Sequence, residues 1–518
     1  MSFKRTVGPV GLMFTAISGM LGSAWLFGPF YAAQIAGPAA IVSWGIGAVV
    51  MLIIAMTFAE LTSMFPIAGA HARFMLFSHG GMASFLFGWI MWLGYAAVAP
   101  AETMAILQYL SSSFPSLIME KNGVPVLSTI GYCTAAVVLF GMCVINLISI
   151  KWLARYNAIV VWIKMIVPVL VAIVIVIFLF QPHQFVSHGF MPNGWHSVLS
   201  ALSLGGIIFA FSGYAPAIVL AGEAKNPQKT IPLVLGGGLF ICFLVYAALQ
   251  LALIGAVPNS ALIQGWSHLS FSGAQSPFIG MAVGIHQEWL RYLILITAVL
   301  TPLGTAIIFI ATSSRVAYAM SQNGLFPKFM EVISTRGVPV FAVLVNFIVG
   351  MILFFPVPGW QGMMGFLVAA FVLSYAVGPL SVLALRKQIP NRERRFKVPF
   401  VVLWCFASFF FANLILYWTG WDIFSKMLIG ILLGLIVMLG ARRFRKENTS
   451  LDLAHSIWAF VYIAGIAVIS YLGQFGGRKV IPADVDILVI AIFSAIMLFF
   501  SYRYALPAKK TQAYLGDA

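Results

Sequence analysis

Two ionisable side chains stand inside otherwise apolar stretches of this sequence: Glu102, two residues after Pro100, and Lys164, within Ala158–Pro168. A charge in hydrocarbon is expensive and marks a functional position by default. Counted from Trp152, Lys164 lies roughly twelve residues, or about 18 Å, along a helix, too deep to snorkel to either surface. It should face a protein interior, where it could carry a proton or stand in for a bound cation. The bland alternative is a buried ion pair, for which Glu102 is the obvious partner. Glu102 sits about twenty residues into its segment, past the midplane toward the outer side. It reads either as a gating or coupling carboxylate or as one that snorkels outward through a Pro-loosened helix. Glu60, near the end of an apolar segment, reads as a solvated helix-end carboxylate, with a gating contact to a loop arginine as the sharper alternative.

The elements that carry these residues follow from composition. The 518 residues are 62% hydrophobic and only 8% charged, with a mean hydropathy of +1.01, which excludes a soluble globule. Long apolar runs between short basic turns indicate helices rather than barrel strands. Fourteen spans are expected, near 8–35, 38–63, 82–112, 125–149, 153–180, 197–222, 232–256, 291–320, 339–356, 362–386, 400–419, 425–441, 455–473 and 485–504. Placing the N-terminus in the cytoplasm puts 23 of the 29 Lys and Arg inside, among them Lys4, Arg5 and the clusters Arg386–Lys397 and Arg442–Lys446, 5 outside and Lys164 within a span. That asymmetry predicts cytoplasmic termini and explains the net charge of +16 without nucleic acid. Contact of the basic loops with anionic lipid is a secondary expectation. Cys133, Cys143, Cys242 and Cys405 lie in apolar segments and read as small core residues. The first segment, too long for a signal peptide, reads as a retained span. The eight histidines show no ligand spacing, against a metal cofactor or a membrane-embedded enzyme, and no filter motif suggests a channel.

Two spans are interrupted by small residues: the first at Gly19-Met20-Leu21-Gly22-Ser23-Ala24-Trp25 and the sixth at Ser212-Gly213, with Pro216 following. Opened backbone at membrane depth is tolerated only where it faces a protein-enclosed cavity. Interruptions five spans apart place matching breaks in two oppositely oriented copies, the pattern of an inverted-repeat transporter. Small-residue helix packing is the plainer reading of either break alone. The expected division is a first repeat over residues 1–180, a second over 197–386, four additional spans over 400–504 and a cytoplasmic tail over 505–518.

The run Glu223-Ala-Lys-Asn226-Pro227-Gln-Lys-Thr-Ile231-Pro232 resembles the signature that follows the broken sixth helix of amino acid/polyamine/organocation permeases. Ser313-Ser-Arg-Val-Ala-Tyr318 through Gly324-Leu-Phe-Pro327 is similar to that family's eighth-helix exit, the first break to its G-S-G, and the Asn157-to-Lys164 spacing to its proton-coupled members. The likeness covers residues 1 to about 400. It implies an all-α fold of leucine-transporter type, a 5+5 inverted repeat with discontinuous helices 1 and 6, here followed by four extra helices. The implied function is proton-coupled amino acid uptake across a bacterial cell membrane by alternating access, with exchange of amino acids or polyamines as the alternative. Only Glu60 and Glu102 are acids within the spans, which argues against a polycation. Span number and Trp25-Leu-Phe-Gly-Pro29 are similar to bacterial aspartate-proton symporters. Ala24 replaces a usual glycine and narrows the pocket, and Ala215 stands where exchangers often carry a glutamate. The extra helices suggest an interface, such as a homodimer.

In such a site the amides of Gly22, Ser23 and Ala24 would meet a substrate carboxylate at a positive helix end. Carbonyls of Met20 and of Phe209 through Ser212, at the Gly213 break, would accept from the ammonium. Phe209, Phe211 and Tyr214 could close over the side chain. Lys164 is expected to brace the first helix against the eighth through carbonyls near Gly19 and hydroxyls such as Ser313.

Overall fold

The computed structural model describes residues 7–67, 70–121, 124–148, 150–271, 273, 275–445 and 450–516. Lys4, Arg5 and Lys446 lie outside these residues, as does the side chain of Asn157.

The chain is a succession of helices. The first interrupted segment forms α1 (Pro9–Met20) and α2 (Ala24–Ala36); α3 (Ala40–Met64), α4 (Ala70–His79), α5 (Gly81–Leu110), α6 (Thr129–Ile148) and α7 (Ile150–Leu179) follow. The second interrupted segment supplies α8 (Gly194–Leu204), α9 (Ile207–Ser212) and α10 (Ala215–Val219). Next come α11 (Pro227–Ala256), α12 (Pro277–Gly284), α13 (Glu288–Gln322), α14 (Val340–Leu353), α15 (Gly359–Tyr375) and α16 (Val377–Gln388). The C-terminal section comprises α17 (Val401–Trp418), α18 (Trp421–Phe444), α19 (Leu453–Leu472), α20 (Asp486–Tyr504) and a short tail helix α21 (Ala508–Gly516). One antiparallel hairpin, β1 (Ile118–Lys121) with β2 (Val124–Leu127), joins α5 to α6, pairing Ile118 with Leu127.

By length and apolarity, eleven helical stretches among the described residues suffice to cross a membrane, and twelve if the bent pair α8 with α9–α10 is one span. Pro9–Met20 and Val340–Leu353, of 12 and 14 residues, are too short to qualify alone. The protein is therefore an all-helical, multi-pass membrane protein.

Helix α5 and the α15–α16 pair are enclosed on all sides, whereas α6, α18 and α20 keep one apolar face outward, as lipid contact requires. The central pairs are α5 with α13, α3 with α11 and α5 with α15; the C-terminal helices join this core through α15, α16, α3 and α5. Three of the four cysteines are buried as expected, but Cys133 is exposed on α6.

Candidate functional site

Both expected interruptions are present. Helix α1 ends at Met20, Leu21 leaves helical geometry at φ −89° and ψ 65°, and α2 starts at Ala24. Helix α9 ends at Ser212 and α10 starts at Ala215. A second interruption, not anticipated, lies between α8 and α9, where Gly205 and Gly206 bend the segment by 45° with Gly206 in the left-handed region. The signal was the Gly-Gly pair itself. The two breaks touch: a Cβ built on Gly19 would stand 2.1 Å from the carbonyl oxygen of Gly213.

Lys164 is fully buried and donates from Nζ to the carbonyl of Ser18 and to Oγ1 of Thr305, both at 2.7 Å. Thr305 donates in turn to the same Ser18 carbonyl at 2.8 Å. The ammonium thus ties α7 to α1 and α13 just before the break. The hydroxyl in this role is Thr305, not Ser313. Ser313, two helical turns further along α13, bonds to the carbonyl of Ile310 at 3.1 Å and accepts from Asn346 Nδ2 at 2.6 Å. Hydroxyl residues recur on this helix, and only its rotation and depth decide which one faces α7.

Glu102 is also fully buried and does not snorkel outward. Its Oε2 accepts from the backbone N–H of Ser23 at 2.8 Å, while Oε1 has no hydrogen-bond partner among the described residues. A Cβ on Gly22 would lie 2.4 Å from that Oε1 and 3.0 Å from Thr305 Oγ1. Only glycine allows the carboxylate and the threonine to close on the break. Glu102 and Lys164 are near enough to interact electrostatically, Lys164 holding the end of α1 and Glu102 the start of α2 on either side of the break in sequence.

Two further carbonyls at the breaks are met by tyrosines. Tyr246 donates to Met20 at 2.7 Å and Tyr375 to Ser212 at 2.9 Å. Trp360 donates to Ser23 Oγ at 2.9 Å, and Trp25 to Thr301 at 3.0 Å. The Ser212 hydroxyl turns back onto Ile208. Phe209 meets Trp360 edge to face, whereas Phe211 packs edge to face against Trp44 and Tyr246, which stack on each other. Tyr214 stacks on Tyr375. Thr305, Tyr246, Tyr375 and Trp360 were not singled out from sequence; the available signal was a hydroxyl or an indole N–H inside an apolar helix, which must find a partner when buried.

Glu60 is not the solvated carboxylate that was expected. Its side chain is fully buried, takes a bidentate pair from Arg386 at 2.7 Å on each oxygen and accepts from the Val398 N–H at 2.8 Å. The partner is an arginine in the last turn of α16, not one in a loop as the sharper alternative expected.

The profile of the amino acid permease family matches residues 7–437. The chain belongs to that family. Similar curated proteins include the glutamate/serine transporter AimA of Bacillus subtilis, 36% identical over 99% of this chain and 96% of the relative, and the aspartate-proton symporter of the same organism, 31% identical over 98% of each. The branched-chain amino acid permease BcaP of B. subtilis is 26% identical over 86% of this chain and 95% of the relative. The amino acid permease described here is thus a membrane transporter of amino acids and not an enzyme. Within this permease, the interrupted helices, Lys164 and Glu102 all fall inside the matched region.

Proposed function

We propose that this permease is a proton-coupled symporter in a bacterial cell membrane that takes up acidic or small polar amino acids, glutamate, aspartate and serine being the first candidates. The names of the two relatives above 30% identity support the substrate class. The observation that carries the coupling is the Ser23 N–H held by Glu102 beside the Lys164–Ser18–Thr305 junction.

A substrate α-carboxylate needs the same N–H donors at the start of α2 that Glu102 uses now. When a proton joins the Glu102 carboxylate, the acid becomes a poorer acceptor and the Ser23 N–H is released to the substrate. Proton and amino acid then enter together, because one creates the vacancy that the other fills. The substrate ammonium would compete with the Tyr246 and Tyr375 hydroxyls for the carbonyls of Met20 and Ser212, loosening the ends of α1 and α9 as it binds. Lys164 holds α1 on α13 in the state described; release of its proton would weaken that tie and allow the helix to swing.

This reading assigns residues 1–180 and 197–386 to two inverted repeats, residues 400–504 to four further spans and both termini to the cytoplasm. It counts α1 with α2 as one broken span, separates α2 from α3 at the Gly37-Pro38 turn and includes the short α14. The test is uptake of labelled glutamate, aspartate and serine into proteoliposomes under an acid-outside pH gradient. Lys164→Ala and Glu102→Gln should each lower gradient-driven uptake by about tenfold or more, in line with loss of a charge-assisted hydrogen bond worth ~1.5–3 kcal/mol. Full pH-driven uptake by Lys164→Ala would overturn the coupling.

A further inference from the structure

The corner between α4 and α5 is built from Phe77-Ser78-His79-Gly80-Gly81, with Gly80 at φ +90°. A helix end leaves carbonyls unsatisfied, and the next helix start leaves N–H groups unsatisfied. At this corner several of them are met by α16 and the C-terminal section. The carbonyl of Phe77 accepts from Thr511 Oγ1 at 3.0 Å, that of Ser78 from the Leu506 N–H at 2.9 Å and from Gln388 at 2.8 Å, and that of His79 from Ser456 Oγ at 3.0 Å. On the far side of the turn, the N–H of Met82 donates to the Leu451 carbonyl at 2.9 Å and that of Ala83 to Ser456 Oγ at 3.2 Å. The His79 ring is buried between Ser501 and Trp458.

The tail helix α21 is fastened separately. Lys510 donates to Asp452 Oδ1 at 2.8 Å and Tyr514 to Oδ2 at 2.6 Å, while the Asp452 side chain packs against Gly80. Residues from α16, α19, α20 and the tail thus converge on one turn of the transport core. Helix α4, which this turn terminates, also touches α10, the half-helix that follows the Ser212–Gly213 break.

We propose that the C-terminal section is a clamp on the α4–α5 corner, with α21 as its strap, and that strap docking restrains the movement of α10. The backbone of α4 cannot shift without either carrying the tail along or giving up hydrogen bonds to Leu506 and Thr511. An undocked tail leaves the Phe77 carbonyl exposed and removes the Lys510 and Tyr514 contacts that hold Asp452 over Gly80. The corner then opens more often, and α10 loses a fixed neighbour. The inference does not depend on which amino acid is carried or on the coupling ion.

Hydrogen–deuterium exchange on the full-length protein in lipid nanodiscs tests it, comparing wild type with a form ending at Ala508 and with Lys510→Glu. The second variant sets a like charge beside Asp452 from a half-exposed position and leaves the rest of the chain intact, so it decides the matter alone if the truncated form does not fold. Exchange should accelerate by about fivefold or more at two places, residues 77–86 and residues 214–221, as local opening becomes easier. Faster exchange confined to the tail overturns the clamp. Faster exchange at the corner with residues 214–221 unchanged overturns its link to α10.

Discussion

The Lys164 ammonium and the Thr305 hydroxyl lie 2.7 Å apart and both donate to one backbone oxygen, that of Ser18. Three helices are joined at that oxygen, one turn before the α1 break.

Thr305→Val keeps the shape of the side chain but removes its donor and acceptor. Lys164 then keeps the Ser18 carbonyl alone, a loss of roughly 1 kcal/mol that corresponds to about a fivefold fall in gradient-driven uptake. Thr305→Ser should retain most of it. Initial uptake rates in proteoliposomes check the pair, and equal activity of the valine and serine forms would refute the role given to the hydroxyl.

Gly22→Ala should damage the site by contact rather than by chemistry, since the new methyl would sit 2.4 Å from Glu102 Oε1. Shortening the acid relieves the clash. Melting temperatures of Gly22→Ala, Glu102→Ala and the double variant should therefore be non-additive by ~1 kcal/mol or more, the double variant being less damaged than the sum of the singles. Additivity would mean that the methyl finds other room.

Arg386→Ala leaves Glu60 buried with only the Val398 N–H. Breaking a buried pair costs about 3–5 kcal/mol, and partial exposure of Arg386 places the expected loss at about 3 kcal/mol or somewhat below. Glu60→Gln keeps an acceptor for Arg386 and should cost less. Thermal unfolding in detergent orders the two variants, and a milder effect for Arg386→Ala would count against the buried pair.

Docking of α21 should depend on pH through Asp452. Burial alone would raise its carboxyl, but hydrogen bonds from Lys510, Tyr514 and Ser450 and the Lys510 charge hold it below the ordinary value of 3.8. A group depressed in the docked state contributes fully above its undocked value and loses that contribution as pH falls through the docked one. A spin label at Ala513→Cys, in a Cys133→Ser background, should be immobile at pH 7 and become mobile only below pH 3.8. Asp452→Asn should mobilise it at pH 7. An immobile label in Asp452→Asn would show that the carboxylate does not hold the tail.

Much of the site was legible because a transmembrane helix has so few reasons to contain a lysine, a glutamate or a cluster of small residues. Lys164, Glu102 and the two interruptions announce themselves against an apolar background. Thr305 does not, because a threonine fits any helix and its sequence neighbours Thr301, Thr312 and Ser313 look equally suitable. Tyr246, Tyr375 and Trp360 were hidden among the aromatic residues that fill such cores; their donors acquire meaning only once the breaks leave carbonyls to be satisfied. Glu60 was misread because its partner Arg386 stands 326 positions away and was counted among the charges that set orientation. The C-terminal helices, legible as apolar segments, gave no sign of where they dock, since the groups they satisfy are backbone atoms that every residue possesses.

The contact of Gly19 with Gly213 makes the two interrupted helices share a pivot. Each peptide plane blocks the other's side-chain position, with a Cβ on Gly213 falling 2.2 Å from the Gly19 oxygen and the Met20 nitrogen. With no side chain between them to absorb a displacement, a tilt of α1 is passed to α10 backbone against backbone. The two interrupted helices therefore act as coupled levers, and a small push on either arm is felt by both.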